Sequence, residues 1–246
     1  MLISPSKPAE ALRLFLMLRK ELTYPLFMYN LKHMNDPAKR KQNPYKADRD
    51  RTGCVILAAG NASRFGENKL TVKLGSRAVI EHAFDAVPAG LFEAVCVVTQ
   101  YDEIEALSRQ YGFKCIRNDR PGSGLGYTIR LGTEALSPCC GAILYMVSDQ
   151  PLLKKESLER LYKLHLKYPD KIISAACSMR QGNPCIFPER YFPELTALTG
   201  DTGGKSVIRS HTDSLILCEL EEQELTDIDT PEELESLKAL RPSLPS

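Results

Sequence analysis

The 246-residue sequence predicts an α/β fold, a three-layer sandwich built on a mainly parallel, mixed sheet. Two observations carry that prediction. From Thr52 onward, short apolar runs alternate with amphipathic helical stretches. That is the pattern of βαβ units, whose crossover helices cover both faces of a parallel sheet. The run Cys54-Val55-Ile56-Leu57-Ala58-Ala59 is apolar without alternation, as in a central strand buried on both sides.

The elements follow in order. The Cys54 run gives a first strand over 54–58, followed by a helix over 79–86. Ala94-Val95-Cys96-Val97-Val98 gives a second strand over 94–98, then a helix over 102–111. A short strand over 114–116 leads through a glycine-rich loop into a helix over 127–136. The apolar stretch 142–147 is a strand, and Pro151 turns the chain into a helix over 156–166 that begins near Glu156. Strands over 172–177, 185–187 and 215–218 alternate with helices over 189–195 and 203–210. The last helix, 231–240, has Thr230 as N-cap, Pro231 at the first turn and acidic residues behind it, all favourable at a helix N-terminus. Residues 1–50 form an N-terminal extension: a helix from about Pro8 to Leu22, then a polar linker from Asn35 to Asp50 with Pro37 and Pro44. Residues 51–246 are the main domain. Met34 stands just before the linker and offers an alternative start.

Composition excludes several classes. Hydrophobic residues are 43% and charged residues 26% of the chain, so it is neither disordered throughout, collagen-like nor a coiled coil. No apolar stretch reaches the ~20 residues of a membrane helix. Leu14-Phe15-Leu16-Met17-Leu18 is too short, is flanked by Arg13, Arg19 and Lys20, and is followed by no cleavage site, so it does not read as a signal peptide. The net charge of +1 is uneven: residues 1–53 hold 11 basic and 5 acidic residues, a net of +6, leaving 21 and 26, a net of −5, for the rest. The short run Lys39-Arg40-Lys41 reads as a solvated tail, and neither nucleic acid nor a membrane is expected as partner. None of the eight cysteines forms a C-x-x-C pair. The adjacent Cys139 and Cys140 suit neither a tetrahedral metal site nor an ordinary disulfide. Reduced, structural cysteines point to a cytoplasmic protein, and a monomer or weak homo-oligomer is expected.

Three motifs carry chemistry. The first is Leu57-Ala58-Ala59-Gly60-Asn61-Ala62-Ser63-Arg64-Phe65-Gly66-Glu67-Asn68-Lys69-Leu70, a buried strand running into a small-residue loop. Ligands of open α/β sheets bind beyond the carboxyl ends of the strands. Small residues let backbone N–H groups cradle an anion, and Arg64 and Lys69 add positive charge, so this reads as a polyphosphate site. Its spacing is neither a Walker loop nor a dinucleotide fingerprint. The second is Ser148-Asp149-Gln150-Pro151, which puts a carboxylate at a strand end, where it can cap a helix or hold a hard cation. The third is Thr226-Asp227-Ile228-Asp229-Thr230-Pro231, whose D-x-D spacing places both carboxylates on one face of an extended segment. His33, His82, His165 and His211 have no nearby nucleophile or metal-ligand pattern.

The first motif resembles the L-A-A-G-x-x-x-R-x-G-x-x-K signature of nucleotidyltransferases with a nucleotide-diphospho-sugar-transferase-like (glycosyltransferase-A-like) Rossmann fold. Within that group the chain is most similar to the molybdenum cofactor cytidylyltransferases, over about residues 53–241. The resemblance implies transfer of CMP from CTP to a molybdopterin-type cofactor with release of pyrophosphate, and a molybdenum hydroxylase as recipient. It implies nucleotide contacts at Leu57, Ala58, Ala59, Gly60, Ser63, Arg64, Gly66, Lys69, Gly124, Thr128 and Gln150. Arg64, Lys69 and Asp149 would be the catalytic residues. Mg²⁺, with Mn²⁺ as an alternative, would be held by Asp149 and Asp229, with Asp227 as the second choice. Gly182-Asn183-Pro184 and Gly200-Asp201-Thr202-Gly203 resemble acceptor-side landmarks, implying acceptor contacts at Asn183, Pro184 and Asp201; Asn183 stands where relatives usually have histidine. Cytidylyl specificity rests on Ala59, where guanylyl relatives have Gly, and on Gln150, where they have Met. Other readings stay open: a nucleotidyltransferase acting on a sugar phosphate or another phosphate acceptor, a glycosyltransferase using D-x-D, and a non-catalytic cofactor-binding chaperone.

Overall fold

A computed structural model describes residues 51–60 and 68–240. The extension helix and linker expected within residues 1–50 lie outside the described residues, as does the loop 61–67.

Seven strands form one sheet in the order β5-β4-β1-β6-β8-β7-β9. They are β1 (Thr52–Ala58), β4 (Val95–Thr99), β5 (Lys114–Arg117), β6 (Ala142–Val147), β7 (Ile172–Cys177), β8 (Arg180–Pro188) and β9 (Leu215–Glu219). A separate two-stranded hairpin joins β2 (Lys73–Leu74) to β3 (Arg77–Ala78). β1 runs parallel to both neighbours, β4 and β6, and β9 runs parallel to β7. Within the seven-stranded sheet β8 is antiparallel to both its neighbours, β6 and β7. The sheet is therefore mixed and mainly parallel.

The centre of β1 is paired on both edges and covered on both faces, which is why its sequence is apolar at successive positions. Side chains alternate along a strand, so Cys54, Ile56 and Ala58 enter one core and Val55 enters the other. The first core lies under α1 (Val79–Ala86), α2 (Asp102–Gln110), α4 (Lys155–Lys167) and α7 (Pro231–Leu240). It is filled by Phe84, Ile104, Leu158, Leu161 and Leu234, among others. The second lies under α3 (Gly124–Leu136), α5 (Phe192–Thr196) and α6 (Gly204–Ser210), and holds Ile129, Phe187, Leu195 and Ile208. Sheet and two helical layers make the three-layer sandwich.

Three local expectations change. The strand expected over 185–187 is the nine-residue β8, which includes Gly182-Asn183-Pro184. Pro184 brings no N–H, but it falls where the β7–β8 register shifts between Ser174 and Ala176, and a bulge tolerates proline. The helix expected over 189–195 is a 3₁₀ turn, Glu189–Tyr191, followed by the short α5. The helix expected from 127 starts at Gly124, directly after Pro121–Ser123. All eight cysteines are free thiols, with Cys139 and Cys140 sulfurs 3.7 Å apart. Among the described residues no helix is long and apolar enough to cross a membrane.

Candidate active site

The chain reverses direction across the sheet at β1: β4 and β5 extend to one side and β6 to the other. The crevice beyond the carboxyl ends of β1 and β6 is the place where such sheets bind ligands. There β1 delivers Ala59 and Gly60. The Ala59 carbonyl accepts from Gln100 Nε2 at 2.9 Å and the Gly60 carbonyl from the Tyr101 hydroxyl at 2.9 Å. On the other side Ser148 Oγ donates to the Leu57 carbonyl at 2.8 Å. The turn is thus held by residues from the ends of both neighbouring strands. Gln100 and Tyr101 were not foreseen from the sequence; two polar residues ending an apolar strand of this sheet were the available signal.

Beside the turn sits a cluster of charge. Lys69 Nζ donates to Asp149 Oδ2 at 2.8 Å, to Asp229 Oδ1 at 2.9 Å and to the Ile228 carbonyl at 2.8 Å. Burial works to lower the Lys69 pKa, but the charges of Asp149 and Asp229 and their hydrogen bonds outweigh it, and the net direction is upward. The ammonium therefore stays charged at neutral pH. Asp227 is placed differently: its Oδ1 accepts from Gln150 Nε2 at 2.9 Å. Desolvation, then the neighbouring Asp149 carboxylate, pushes the Asp227 pKa up. Gln150 is buried and its Nε2 also reaches the Leu225 carbonyl at 3.3 Å, so its donor is engaged within the protein.

Several contacts bring the two acid-bearing segments together. The Ile228 N–H donates to the Asp149 carbonyl at 2.9 Å. Buried Glu224 accepts from the Lys154 backbone N–H at 3.0 Å. Asp229 is fixed by the start of α7: Glu233 accepts from the N–H groups of Asp229 and Thr230, and the Glu233 N–H donates to Thr230 Oγ1 at 3.2 Å. This reciprocal capping is the arrangement expected of Thr-x-x-Glu.

The fit to a hard cation can be read from one atom. Asp149 Oδ1 is buried and has no hydrogen-bond partner. Buried carboxylate oxygens are normally satisfied, and one that is not suits a missing ion. Among the described residues no three His, Cys, Asp or Glu side chains converge as a metal cage. Two carboxylates completed by substrate oxygens and water are what Mg²⁺ usually accepts. Asp149 and Asp229 share one ammonium and so lie within reach of one cation, while Asp227 is tied to Gln150.

At the same strand ends lies a cavity of about 330 Å³, lined by Leu57, Val147, Tyr145, Phe187, Asn183, Asp201 and Lys205, among others. Two glycine-rich segments close one side. The Gly126 N–H donates to the Gly200 carbonyl at 2.9 Å. A Cβ on Gly124 would lie 2.3 Å from the Gly200 carbonyl carbon, so only glycine permits this approach. Buried Thr128, in the second turn of α3, accepts from Asn118 Nδ2 at 3.2 Å.

Of the sequence-derived site residues, the structure brings Lys69, Asp149, Gln150, Asp227 and Asp229 into one cluster. It brings Leu57, Asn183 and Asp201 to the cavity, while Ala58 is buried in β1. Pro184 is buried in β8 and is not a lining residue. Ser63, Arg64 and Gly66 lie outside the described residues.

Known proteins agree with this architecture. The family of MobA-like NTP transferase domains matches residues 54–215. The purine catabolism protein PucB of Bacillus subtilis (strain 168) is 26% identical over 196 residues, which are 75% of this chain and 94% of PucB. A protein of Halalkalibacterium halodurans named "Probable molybdenum cofactor guanylyltransferase" is 30% identical over 122 residues, 50% of this chain and 61% of that one. A solved nucleotidyl transferase from Methanothermobacter thermautotroptrophicus shares the fold with a TM-score of 0.67 at 20% identity, covering 79% of this chain and 100% of that one. The family match runs from β1 to the first residue of β9, more than half of the chain, and the chain belongs to the MobA-like NTP transferase domains, a family of nucleotidyltransferases.

Proposed function

We propose that this nucleotidyltransferase moves a CMP unit from CTP to the terminal phosphate of a molybdopterin-type cofactor and releases pyrophosphate. The observation that carries the chemistry is the convergence of Lys69, Asp149 and Asp229 at the strand-end crevice. Nucleotidyl transfer requires little covalent work from a protein, so positioning and charge neutralisation dominate. Lys69, with Arg64 and the N–H groups of the loop after Gly60, stabilises the charge that develops on the departing pyrophosphate. The attacking phosphate is already ionised near neutral pH and needs no general base. Asp149 and Asp229 are the residues that would hold Mg²⁺ or Mn²⁺, which when bound neutralises phosphate charge.

Two features support the finer assignment. Ala59 is buried at the turn after β1, and on the cytidylyl reading its methyl, absent from glycine, would leave a base less room and favour a pyrimidine over a purine. The cavity is lined by apolar and aromatic side chains together with Gln181, Asn183, Asp201 and Lys205, a mixture that suits a flat heteroaromatic ring carrying hydrogen-bonding groups. A relative named for molybdenum cofactor chemistry is consistent with such an acceptor.

The test is pyrophosphate release from CTP and from GTP with Mg²⁺ and molybdopterin-type cofactor. CTP should be used at least about tenfold better by kcat/KM, the scale of discrimination available to a methyl-sized difference. Asp149→Ala and Asp229→Ala should abolish release in folded protein. Equal use of both nucleotides removes the cytidylyl reading, and full activity of Asp149→Ala at saturating Mg²⁺ removes the assignment of that acid.

A further inference from the structure

An ammonium group has three N–H donors. In Lys69 each has an acceptor: Asp149 Oδ2, Asp229 Oδ1 and the Ile228 carbonyl, all at 2.8–2.9 Å. The two carboxylate oxygens engaged in this way belong to the acids that fit a divalent cation. Resting on the nucleotidyl-transfer reading above, we propose that Lys69 is a built-in counter-ion that occupies the Asp149–Asp229 pair in the nucleotide-free protein, so that metal and nucleotide can enter only as a coupled pair.

The physical case has three parts. First, a hard cation and the ammonium compete for the same oxygens, and a dication placed beside a retained ammonium meets strong like-charge repulsion in a half-buried site. Second, the ammonium is well held where it is: charge-assisted hydrogen bonds are the strong ones, and here two join a backbone carbonyl in one geometry. Only a ligand offering several anionic oxygens at once can replace that set, and a nucleoside triphosphate is such a ligand. Third, when Lys69 turns to phosphate, Asp149 Oδ2 and Asp229 Oδ1 are released beside Asp149 Oδ1, which already lacks a partner. Two carboxylate oxygens then face the space that the ammonium leaves, and the third, Asp149 Oδ1, belongs to the same carboxylate as one of them. Linkage makes the effect reciprocal: nucleotide tightens metal binding by the same factor as metal tightens nucleotide binding.

The experiment measures Mn²⁺ binding to the full chain by electron paramagnetic resonance, with and without CTP and without acceptor, so that no turnover is needed. Wild type, Lys69→Met and Lys69→Arg are compared, with circular dichroism as the check on folding. Free Lys69→Met should bind Mn²⁺ at least about tenfold more tightly than free wild type, a coupling of ordinary allosteric size. Lys69→Arg keeps the charge and should resemble wild type. CTP should tighten Mn²⁺ binding to wild type by at least about tenfold. If free wild type binds Mn²⁺ as tightly as Lys69→Met does, the inference is overturned while the metal site stands. If Lys69→Met does not fold, the wild-type pair decides: equal Mn²⁺ affinity with and without CTP overturns the inference. If no form binds Mn²⁺ under any condition and none releases pyrophosphate, the functional reading falls and this inference with it.

Discussion

Gly126 donates its backbone N–H to the Gly200 carbonyl at 2.9 Å and joins two glycine-rich segments that are remote in the sequence. The approach is close enough to set a steric rule. Gly124 has φ of +81°, and its added Cβ would lie 2.3 Å from the Gly200 carbonyl carbon. Gly124→Ala should therefore cost about 2–4 kcal/mol, from left-handed strain together with overpacking. Gly126→Ala, with its Cβ 2.8 Å from the Leu198 carbonyl carbon, should cost about 1–3 kcal/mol. Gly90→Ala, which meets nothing within 4 Å, should stay within about 0.5 kcal/mol of wild type. Denaturant unfolding of the three variants measures the ranking.

The Gln150 amide gives a second test. Gln150→Leu removes the donor to Asp227 and to the Leu225 carbonyl and should destabilise the protein by about 1–3 kcal/mol. Gln150→Glu places a second carboxylate against Asp227. Its loss should be greatest at neutral pH and shrink as pH falls, because protonating either acid removes the repulsion. Melting temperatures between pH 7 and pH 5 read this sign directly.

The same contact separates the two residues behind the proposed base selection. Gln150 is turned toward Asp227, whereas Ala59 lies at the turn itself. Ala59→Gly should narrow the preference for CTP over GTP by about tenfold or more, the value of a methyl-sized change in a pocket. Gln150→Met should lower kcat/KM for both nucleotides and leave their ratio within about threefold of wild type, well short of that value. Parallel kcat/KM measurements with the two nucleotides separate the residues.

Glu224 is an acid 2% exposed, and its role is geometric. It accepts the Lys154 N–H and so ties the segment after Asp149 to the segment before Asp227. Glu224→Gln retains an acceptor and should change stability by less than about 1 kcal/mol. Glu224→Ala removes that buried acceptor and should cost about 1–3 kcal/mol. Thermal unfolding of both variants makes the comparison.

Cys139 should react before Cys115. The neighbouring Cys140 thiol hydrogen-bonds to it and lowers its pKa, whereas burial pushes the half-exposed Cys115 up to about 11. The thiolate is the nucleophile, so a lowered pKa means a larger reactive fraction at neutral pH. Iodoacetamide labelling followed by mass spectrometry should find Cys139 modified before Cys115 at pH 7, with the gap closing as pH rises toward 11. Cys140→Ser should reduce the lead of Cys139.

Much of the fold was legible because it is written in local periodicity. The unbroken apolar run of β1 marked the central strand, and the Thr230-Pro231 pair marked the start of α7. β8 was legible only at its end, since Gly182, Asn183 and Pro184 read locally as breakers. Pairing with β6 and β7 overrides that reading, and the bulge absorbs the proline. The β2–β3 hairpin has two residues per strand, too few to show a period. The site was legible as separate motifs. Their convergence was not, because Lys69, Asp149 and Asp229 meet only through long-range pairing of the sheet, and no local signal says which of Asp227 and Asp229 will face the ammonium.

The Lys69–Asp229 contact also imposes an order on biosynthesis. Lys69 leaves the ribosome early in the domain and Asp229 near its end, after every strand of the sheet has been made. A chain halted after β6 has the central strand and both of its parallel neighbours but only one of the two acids around Lys69. Its charge cluster is incomplete although its central strands are present. A nascent chain therefore holds no complete site during translation, and a product clipped between Glu219 and Asp227 keeps all seven sheet strands yet loses Asp229 together with Ile228, Leu234 and Leu237 of the first core.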